Sequence, residues 1–245
     1  MKILFLSVIA MSIAVTATAQ STIQSQTIQS EVLKGGNASA YNNTASYKGA
    51  GIPIFNPKED TKGSRYMFSK CIEGTITNSN NEKIQNENYL FNYDKVSQKF
   101  IITQDEKTFF AVEDQNVKLY TIYFAGREMA FMKVPAISDD FYVQLLAGKE
   151  GNYALYKGIK TKLEKANYTS SGLIENGHNY DEFIDEYTYY IVFPDGKTAK
   201  PVSLKKNAVK ESLSDEKVKV DAYFAANKGT SVNEEFVKGL IKSLN

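Results

Sequence analysis

Tryptophan is absent from this chain, and histidine and cysteine each occur only once, as His178 and Cys71. With a single histidine, a histidine-rich zinc site cannot be built, and a zinc ligand set would need carboxylates and water. With a single cysteine, no intramolecular disulfide can form, so stability must come from packing. The lack of tryptophan counts against a sugar-binding cleft, because secreted sugar-active proteins often stack their ligand on its ring.

Recognised catalytic motifs are also missing. The glycine-containing stretches AGKEGN and KGAGIP have neither the GK[ST] ending nor the G-x-G-x-x-G spacing of phosphate-binding loops, so they are interpreted as turns. No G-x-S-x-G elbow occurs. Cys71 has apolar neighbours, which are typical of an inert buried thiol, and no local signature supports a Cys71–His178 nucleophile pair.

Net charge is the third deficiency. The chain has 29 basic and 28 acidic side chains. Removal of residues 1–19 takes away Lys2 and no acid, which leaves 28 of each. A neutral chain lacks the positive surface that phosphate backbones and anionic membranes attract, so we expect no nucleic-acid partner.

The first nineteen residues have the pattern of a secretory signal peptide. Lys2 supplies a positive start, an apolar run covers 3–15, and Ala17-Thr18-Ala19 is a small-x-small cleavage site before Gln20. The run is too short to span a membrane comfortably, and no cysteine follows it that could carry a lipid. We therefore expect an exported protein, periplasmic or extracellular, with no lipid anchor and no transmembrane segment in the mature chain.

Residues 20–55 are expected to form a flexible polar tail. The tetrapeptide TIQS occurs twice, and the following stretch is rich in Gly, Ala, Ser and Asn. Apolar residues are sparse and without a period, so ordering this segment would not be offset by burial.

The texture changes to strands in the next region, assigned to a β-rich domain over 56–202. Short runs such as NYLFNYD, KFIITQD and VKLYTIYF are rich in aromatic and β-branched residues and are bounded by turn-forming residues. GKEG separates two long runs and PDGK two shorter ones, which predicts two further hairpins. The pattern is that of an antiparallel meander, either an open sheet or a partly closed barrel.

Residues 203–245 are predicted to form about three amphipathic helices that pack on the same domain. Ser203 and Ser214 are placed as caps, Gly229 as a stop, and Ser231 to Glu234 as a capping box. The last helix has one apolar face, made of Phe236, Val237, Leu240, Ile241 and Leu244. Strands first and helices last indicate the α+β class.

Four segments carry a resemblance to a known group of proteins: GSRYMF, NYLFNYDKVSQKFIITQD, YALYKGIKTKLEKANY and NYDEFIDEYTYYIVFPDG. Over residues 60–245 the chain resembles small exported proteins of Bacteroidetes-type bacteria. That group has no established activity, so the resemblance implies a shared exported domain and no catalytic residue.

The segment YDEFIDEY, residues 180–187, is the strongest candidate for a site. Its apolar residues fall at helical spacing, which predicts a short amphipathic helix or turn with the acids on its wet face. The candidate metal ligands are the four carboxylates Asp181, Glu182, Asp185 and Glu186. A hard cation such as Ca²⁺ would relieve their repulsion, although the spacing is not that of an EF-hand, and a solvated acidic face is the alternative.

Three functions remain open at this point. The first is a non-enzymatic binding or interaction domain of the bacterial envelope, whose partner is an envelope or extracellular protein or a glycan. The second is a secreted hydrolase that uses His178 and the nearby carboxylates. The third is a small-ligand carrier whose sheet curls around an apolar pocket.

Overall fold

The structure, a computed structural model, describes residues 61–85, 88–112, 116–171 and 174–245. The predicted signal peptide over 1–19, the predicted tail over 20–55 and the first residues of the predicted β-rich domain lie outside the described residues.

The described residues form thirteen strands. They are β1 (Ile72–Asn78), β2 (Lys83–Ile84), β3 (Leu90–Asp94), β4 (Lys99–Thr103), β5 (Phe109–Ala111), β6 (Val117–Phe124), β7 (Arg127–Val134), β8 (Ser138–Ala147), β9 (Ala154–Glu164), β10 (Thr169–Ser171), β11 (Ile174–Asn176), β12 (Glu182–Val192) and β13 (Ala199–Val202). The runs predicted as strands over 88–202 therefore fall on strands.

Eleven of these strands form one open sheet in the order β13-β12-β9-β8-β7-β6-β1-β3-β4-β5, with β2 beside β1. All strand pairs in it are antiparallel. Strands β10 and β11 form a separate two-stranded sheet. The predicted α+β class with an antiparallel meander is thus confirmed. Of the two predicted forms, an open sheet or a partly closed barrel, the structure has the open sheet.

Turn chemistry explains two of the hairpins. In the β8–β9 turn Gly148 has φ +88°, and a Cβ there would lie 2.1 Å from the backbone oxygen of Tyr153. Only glycine fits this close approach. Gly196 in the β12–β13 turn also has a positive φ of +65°, as the Pro-Asp-Gly sequence predicts.

The helices follow the last strand. They are α1 (Lys206–Ser212), a 3-10 turn (Ser214–Glu216), α2 (Lys217–Ala226) and α3 (Glu234–Leu244). Three predicted caps, Ser203, Ser214 and Ser231, are wrong. Ser214 is the first residue of the 3-10 turn, and the residue before α2 is Glu216, which makes no side-chain cap. The residue before α1 is Lys205 and it makes no side-chain cap, and α3 is capped by Asn233, which accepts from the backbone N–H of Phe236 at 3.0 Å. Asn233 replaces Ser231 in this role because the helix begins two residues later than the capping box implied.

Two layers cover one face of the sheet. The β3–β4 hairpin packs on β6, β7 and β8, where Phe100 stacks on Tyr120 with ring centroids 4.0 Å apart. The helices pack on β8, β9, β12 and β13, where the apolar face of α3 meets Leu155 and Ile191. Within the described residues, no helix is long and apolar enough to cross a membrane.

Candidate binding surface

The acidic stretch lies on β12, so the predicted helix or turn over 180–187 is wrong. β12 pairs with β9 along its whole length. These inter-strand hydrogen bonds outweigh the weak local preference for a helix that the spacing of the apolar residues indicates. Side chains alternate between the two faces of a strand. Asp181 and Asp185 therefore share one face, and Glu182 and Glu186 lie on the other.

Asp181 is buried directly before β12. Its carboxylate accepts from the Lys165 Nζ at 2.9 Å and from the backbone N–H of Ala166 at 3.0 Å. Both donors lie just after β9, so this carboxylate fastens the end of β9 to the start of β12.

Asp185 holds the β3–β4 hairpin against the sheet. Its two oxygens accept from the Nζ of Lys95 at 2.7 and 2.8 Å, and one also accepts from the hydroxyl of Thr161. The Lys95 side chain is only 8% exposed. Burial acts to raise the pKa of the Asp185 carboxyl, but the bonds from Lys95 and Thr161 outweigh it, so this pKa lies below its ordinary value.

The turn that carries Lys95 also continues the sheet. The backbone N–H of Thr161 donates to the backbone oxygen of Lys95 at 3.1 Å, and the Gln98 amide donates to the oxygen of Ile159 at 3.4 Å. β8 pairs with β9 only as far as Lys157. Beyond Lys157, the β3–β4 turn takes the place of β8 beside the same edge of β9.

Glu186 lies on the opposite face, in an exposed ion pair with Lys162. Three of the four predicted metal ligands thus have a lysine partner, which supplies the positive charge that Ca²⁺ was expected to supply. Over the described ranges, no group of three or more His, Cys, Asp and Glu side chains is arranged to hold a metal ion. The Ca²⁺ hypothesis stays a prediction, and a calcium titration tests it.

His178 stacks on Tyr180 with ring centroids 4.5 Å apart, and its Nδ1 lies 2.6 Å from the backbone oxygen of Tyr180. A carbonyl oxygen only accepts, so Nδ1 carries a proton. In the described part of the chain no side-chain carboxylate, hydroxyl or thiol forms a hydrogen bond or an ion pair with the imidazole. This arrangement positions the loop before β12 and offers no base–nucleophile pair.

Cys71 lines a cavity of about 230 Å³ beside Lys70, Asn92 and Glu106. Burial raises the pKa of the Cys71 thiol, and the hydrogen bond with Asn92 lowers it by less, so that the pKa is about 11. The thiolate is the nucleophilic form, and at neutral pH this cysteine is almost wholly a thiol.

A second polar cluster ties α3 to the same face of the sheet. The Lys157 Nζ forms a 2.9 Å ion pair with Glu234 in the first turn of α3, and the Tyr189 hydroxyl donates to the same carboxylate oxygen at 2.9 Å. Burial and the bond to Glu234 raise the pKa of Tyr189. The cluster is therefore a lysine–carboxylate pair with a neutral tyrosine as second donor.

Tyr187 lies between the two clusters. It sits on β12 two residues from Asp185 and two from Tyr189, so all three side chains share one face. Tyr187 is 52% exposed, and the Lys157 Nζ lies 4.5 Å from the centroid of its ring. The hairpin and α3 thus cover the sheet on either side and leave one tyrosine accessible, flanked by charged groups.

The backbone beside Tyr187 is open as well. We call the side of β12 away from β9 its outer edge. On this edge the backbone N–H of Phe183 donates to the backbone oxygen of Lys62. Strand β13 pairs with the same edge only from Tyr189 onward. Among the described residues no strand pairs with this edge over residues 184–188, and by alternation the N–H and C=O groups of Asp185 and Tyr187 point outward.

Comparison with protein-family models, with curated proteins and with solved structures finds no match to this chain.

The sequence did not indicate the residues that organise this surface. Lys95, Lys157 and Glu234 come from a turn, a strand and a helix that are far apart along the chain, and their register is set by long-range pairing. The one available signal was the alternation in EYTYYIVF, which places Tyr187 and Tyr189 on a common face.

Proposed function

We propose that this protein is an exported, non-enzymatic binding domain that acts at the bacterial envelope or outside the cell. The proposal rests on the signal-peptide pattern of residues 1–19 and on the outer edge of β12. Its alternative as a hydrolase has less support, because His178 contacts a carbonyl oxygen and a tyrosine ring.

The outer edge over residues 184–188 is the single structural observation that carries the binding role. Unpaired strand edges are templates for an added strand, in which main-chain hydrogen bonds supply affinity and side-chain contacts supply specificity. Two outward residues offer two N–H donors and two C=O acceptors. Tyr187 and Ile184, both exposed, project to opposite faces of this edge.

This chemistry fits an extended segment of a partner protein. Tyrosine is favoured in interfaces because it combines a large apolar ring with a polar tip. The ion pair of Lys157 with Glu234 lies beside the ring and gives it a polar border. A glycan partner would use Tyr187 alone, without the backbone groups of the edge.

The test is affinity capture from the envelope and secreted fractions of the source cells. The bait is the mature domain, with and without residues 20–50, and the matched variants are Tyr187→Ala and Tyr168→Ala, since Tyr168 is a second exposed tyrosine, 47% accessible. We expect a partner that is retained by wild type and Tyr168→Ala and lost with Tyr187→Ala. Equal capture of the partner by both variants would show that the surface around Tyr187 is not the binding site.

A further inference from the structure

A cavity of about 230 Å³ opens on the face of the sheet opposite to Tyr187. It lies where three turns approach one another, and Pro135, Gly151 and Gly196 mark the β7–β8, β8–β9 and β12–β13 turns in its lining. The cavity is separate from the outer edge of β12.

The floor of this cavity is apolar. It is formed by Met132, Val134, Ala154, Tyr156 and Val192, of which the last four are buried. The Tyr156 hydroxyl points to the Met132 sulfur at 3.8 Å, which is a weak acceptor. An apolar cavity of about 150 Å³ is known to hold benzene, so this larger space has room for a ring or a short alkyl chain.

The rim of the cavity is positively charged. Lys118 and Lys149 line it together with a single acid, Glu150, which gives an excess of one positive charge. Lys133 also belongs to the lining, but its Nζ lies 5.4 Å from the centroid of the Tyr142 ring, so it is not counted here. Lys118 donates to the neutral side chain of Asn81 at 2.7 Å, and Lys149 is exposed. Among the described residues, neither Lys118 nor Lys149 pairs with a carboxylate. The excess is local, since the chain as a whole has 29 basic and 28 acidic groups.

We propose that this cavity binds a small amphipathic carboxylate, an aromatic or medium-chain aliphatic acid. Its apolar part lies on the floor and its carboxylate faces the lysines of the rim. Charge complementarity selects an acid over an alcohol or an amine of the same length, and the buried floor selects an apolar tail over a short hydrophilic acid.

The cavity beside Cys71 supplies an internal control. It has the same volume, about 230 Å³, but one lysine and one acid, Lys70 and Glu106, in its lining. Size alone would make the two cavities equivalent, whereas the charge argument assigns the ligand acid to the cavity where two lysines, Lys118 and Lys149, face one acid, Glu150.

Methyl NMR of the mature protein labelled at the methionine ε-methyl groups tests the proposal. From Gln20 onward the chain contains three methionines, Met67, Met129 and Met132. Met132 lines the cavity, whereas Met67 and Met129 pack against the core under the β3–β4 hairpin. Titration with octanoate or 3-phenylpropionate is expected to shift Met132 alone, with a Kd of about 1 mM for ligands of this size.

Matched ligands and variants decide the chemistry. Octanol and octylamine are expected to bind more weakly than octanoate. Lys149→Glu and Lys118→Glu should each weaken the binding of octanoate by about three- to tenfold. Lys228→Glu, at an exposed position away from the cavity, should leave the affinity for octanoate unchanged. A peptide that ends in leucine, with a free or amidated carboxyl terminus, tests whether the acid comes from a small molecule or from a chain end.

Several results would overturn the proposal. They are no shift of Met132 at saturating octanoate, equal shifts of all three methionines, equal binding of octanol and octanoate, and an unchanged affinity in the two charge-reversal variants. Binding of the free-acid peptide but not of octanoate would overturn the small-molecule source. None of these results depends on Tyr187, so failure here is distinguishable from failure of the proposed binding surface.

Discussion

Replacement of Asp185 by asparagine tests the role of the charge that holds the β3–β4 hairpin to the sheet. The amide keeps the size of the side chain and an oxygen that accepts from Thr161. It removes the negative charge and leaves the Lys95 ammonium, whose side chain is 8% exposed, without its carboxylate.

The expected cost follows from the burial of the two partners. Breaking a buried ion pair by removing one partner costs about 3–5 kcal/mol, because an uncompensated charge remains inside. The Asp185 side chain is 26% exposed, so water reaches the site in the variant and lowers this figure. We expect a loss of about 2–3 kcal/mol in the free energy of unfolding. The control is Glu186→Gln in the exposed pair with Lys162, for which about 0.2–1 kcal/mol is expected.

Urea unfolding followed by circular dichroism or tyrosine fluorescence measures both variants. Lys95→Met completes a double-mutant cycle, and the coupling energy of Lys95 with Asp185 is expected at about 1–3 kcal/mol. If Asp185→Asn cost no more than Glu186→Gln, the ion pair would be an ordinary surface contact. The explanation of how the hairpin is held would then be refuted.

Further predictions concern the caps, the core, acid stability and calcium. Asn233→Ala is expected to destabilise the protein by about 1 kcal/mol in urea unfolding, and Ser231→Ala by much less, because Asn233 makes the capping bond of α3. Leu240→Ala should cost about 2–5 kcal/mol by the same measurement, whereas Val218→Ala, at a position 84% exposed, should change stability by less than about 0.5 kcal/mol. Burial acts to raise the pKa of Asp94, but its bonds to arginine and serine lower the pKa overall, so its contribution is complete above an unfolded pKa of about 3.9 and is lost as pH falls through the folded pKa. Asp94→Asn should therefore reduce the fall in melting temperature between about pH 5 and pH 2. Calcium chloride should give no binding heat and no rise in melting temperature, because lysines already neutralise three of the four acids on and before β12; a saturable heat would restore the metal site.

The strand pattern and the helical end could be predicted because they depend on local features. GKEG and PDGK fix two hairpins through residues that accept positive φ, and the apolar face of α3 follows from its spacing alone. Phe236, Val237, Leu240, Ile241 and Leu244 are all buried, as that spacing predicts.

The acidic segment shows where local reasoning fails. YDEFIDEY has helical spacing, yet its strand is decided by pairing with β9, which no local pattern encodes. The partners of its acids were equally hidden, since Lys95 lies 90 positions away from Asp185 along the chain. Three of the four candidate cation ligands, Asp181, Asp185 and Glu186, form ion pairs with lysines, and the pairs of Asp181 and Asp185 join the end of β9 and the hairpin to β12.

Residue-resolved amide hydrogen exchange along β12, in the free protein and with the captured partner, tests the proposed binding surface most directly. In the free protein the amides of Asp185 and Tyr187 should exchange quickly, and those of Ile184 and Glu186, which face β9, should exchange slowly. Partner binding should slow Asp185 and Tyr187 selectively. Slow exchange of both amides in the free protein, or no change in them when the partner is bound, would contradict the assignment of this edge as the binding site.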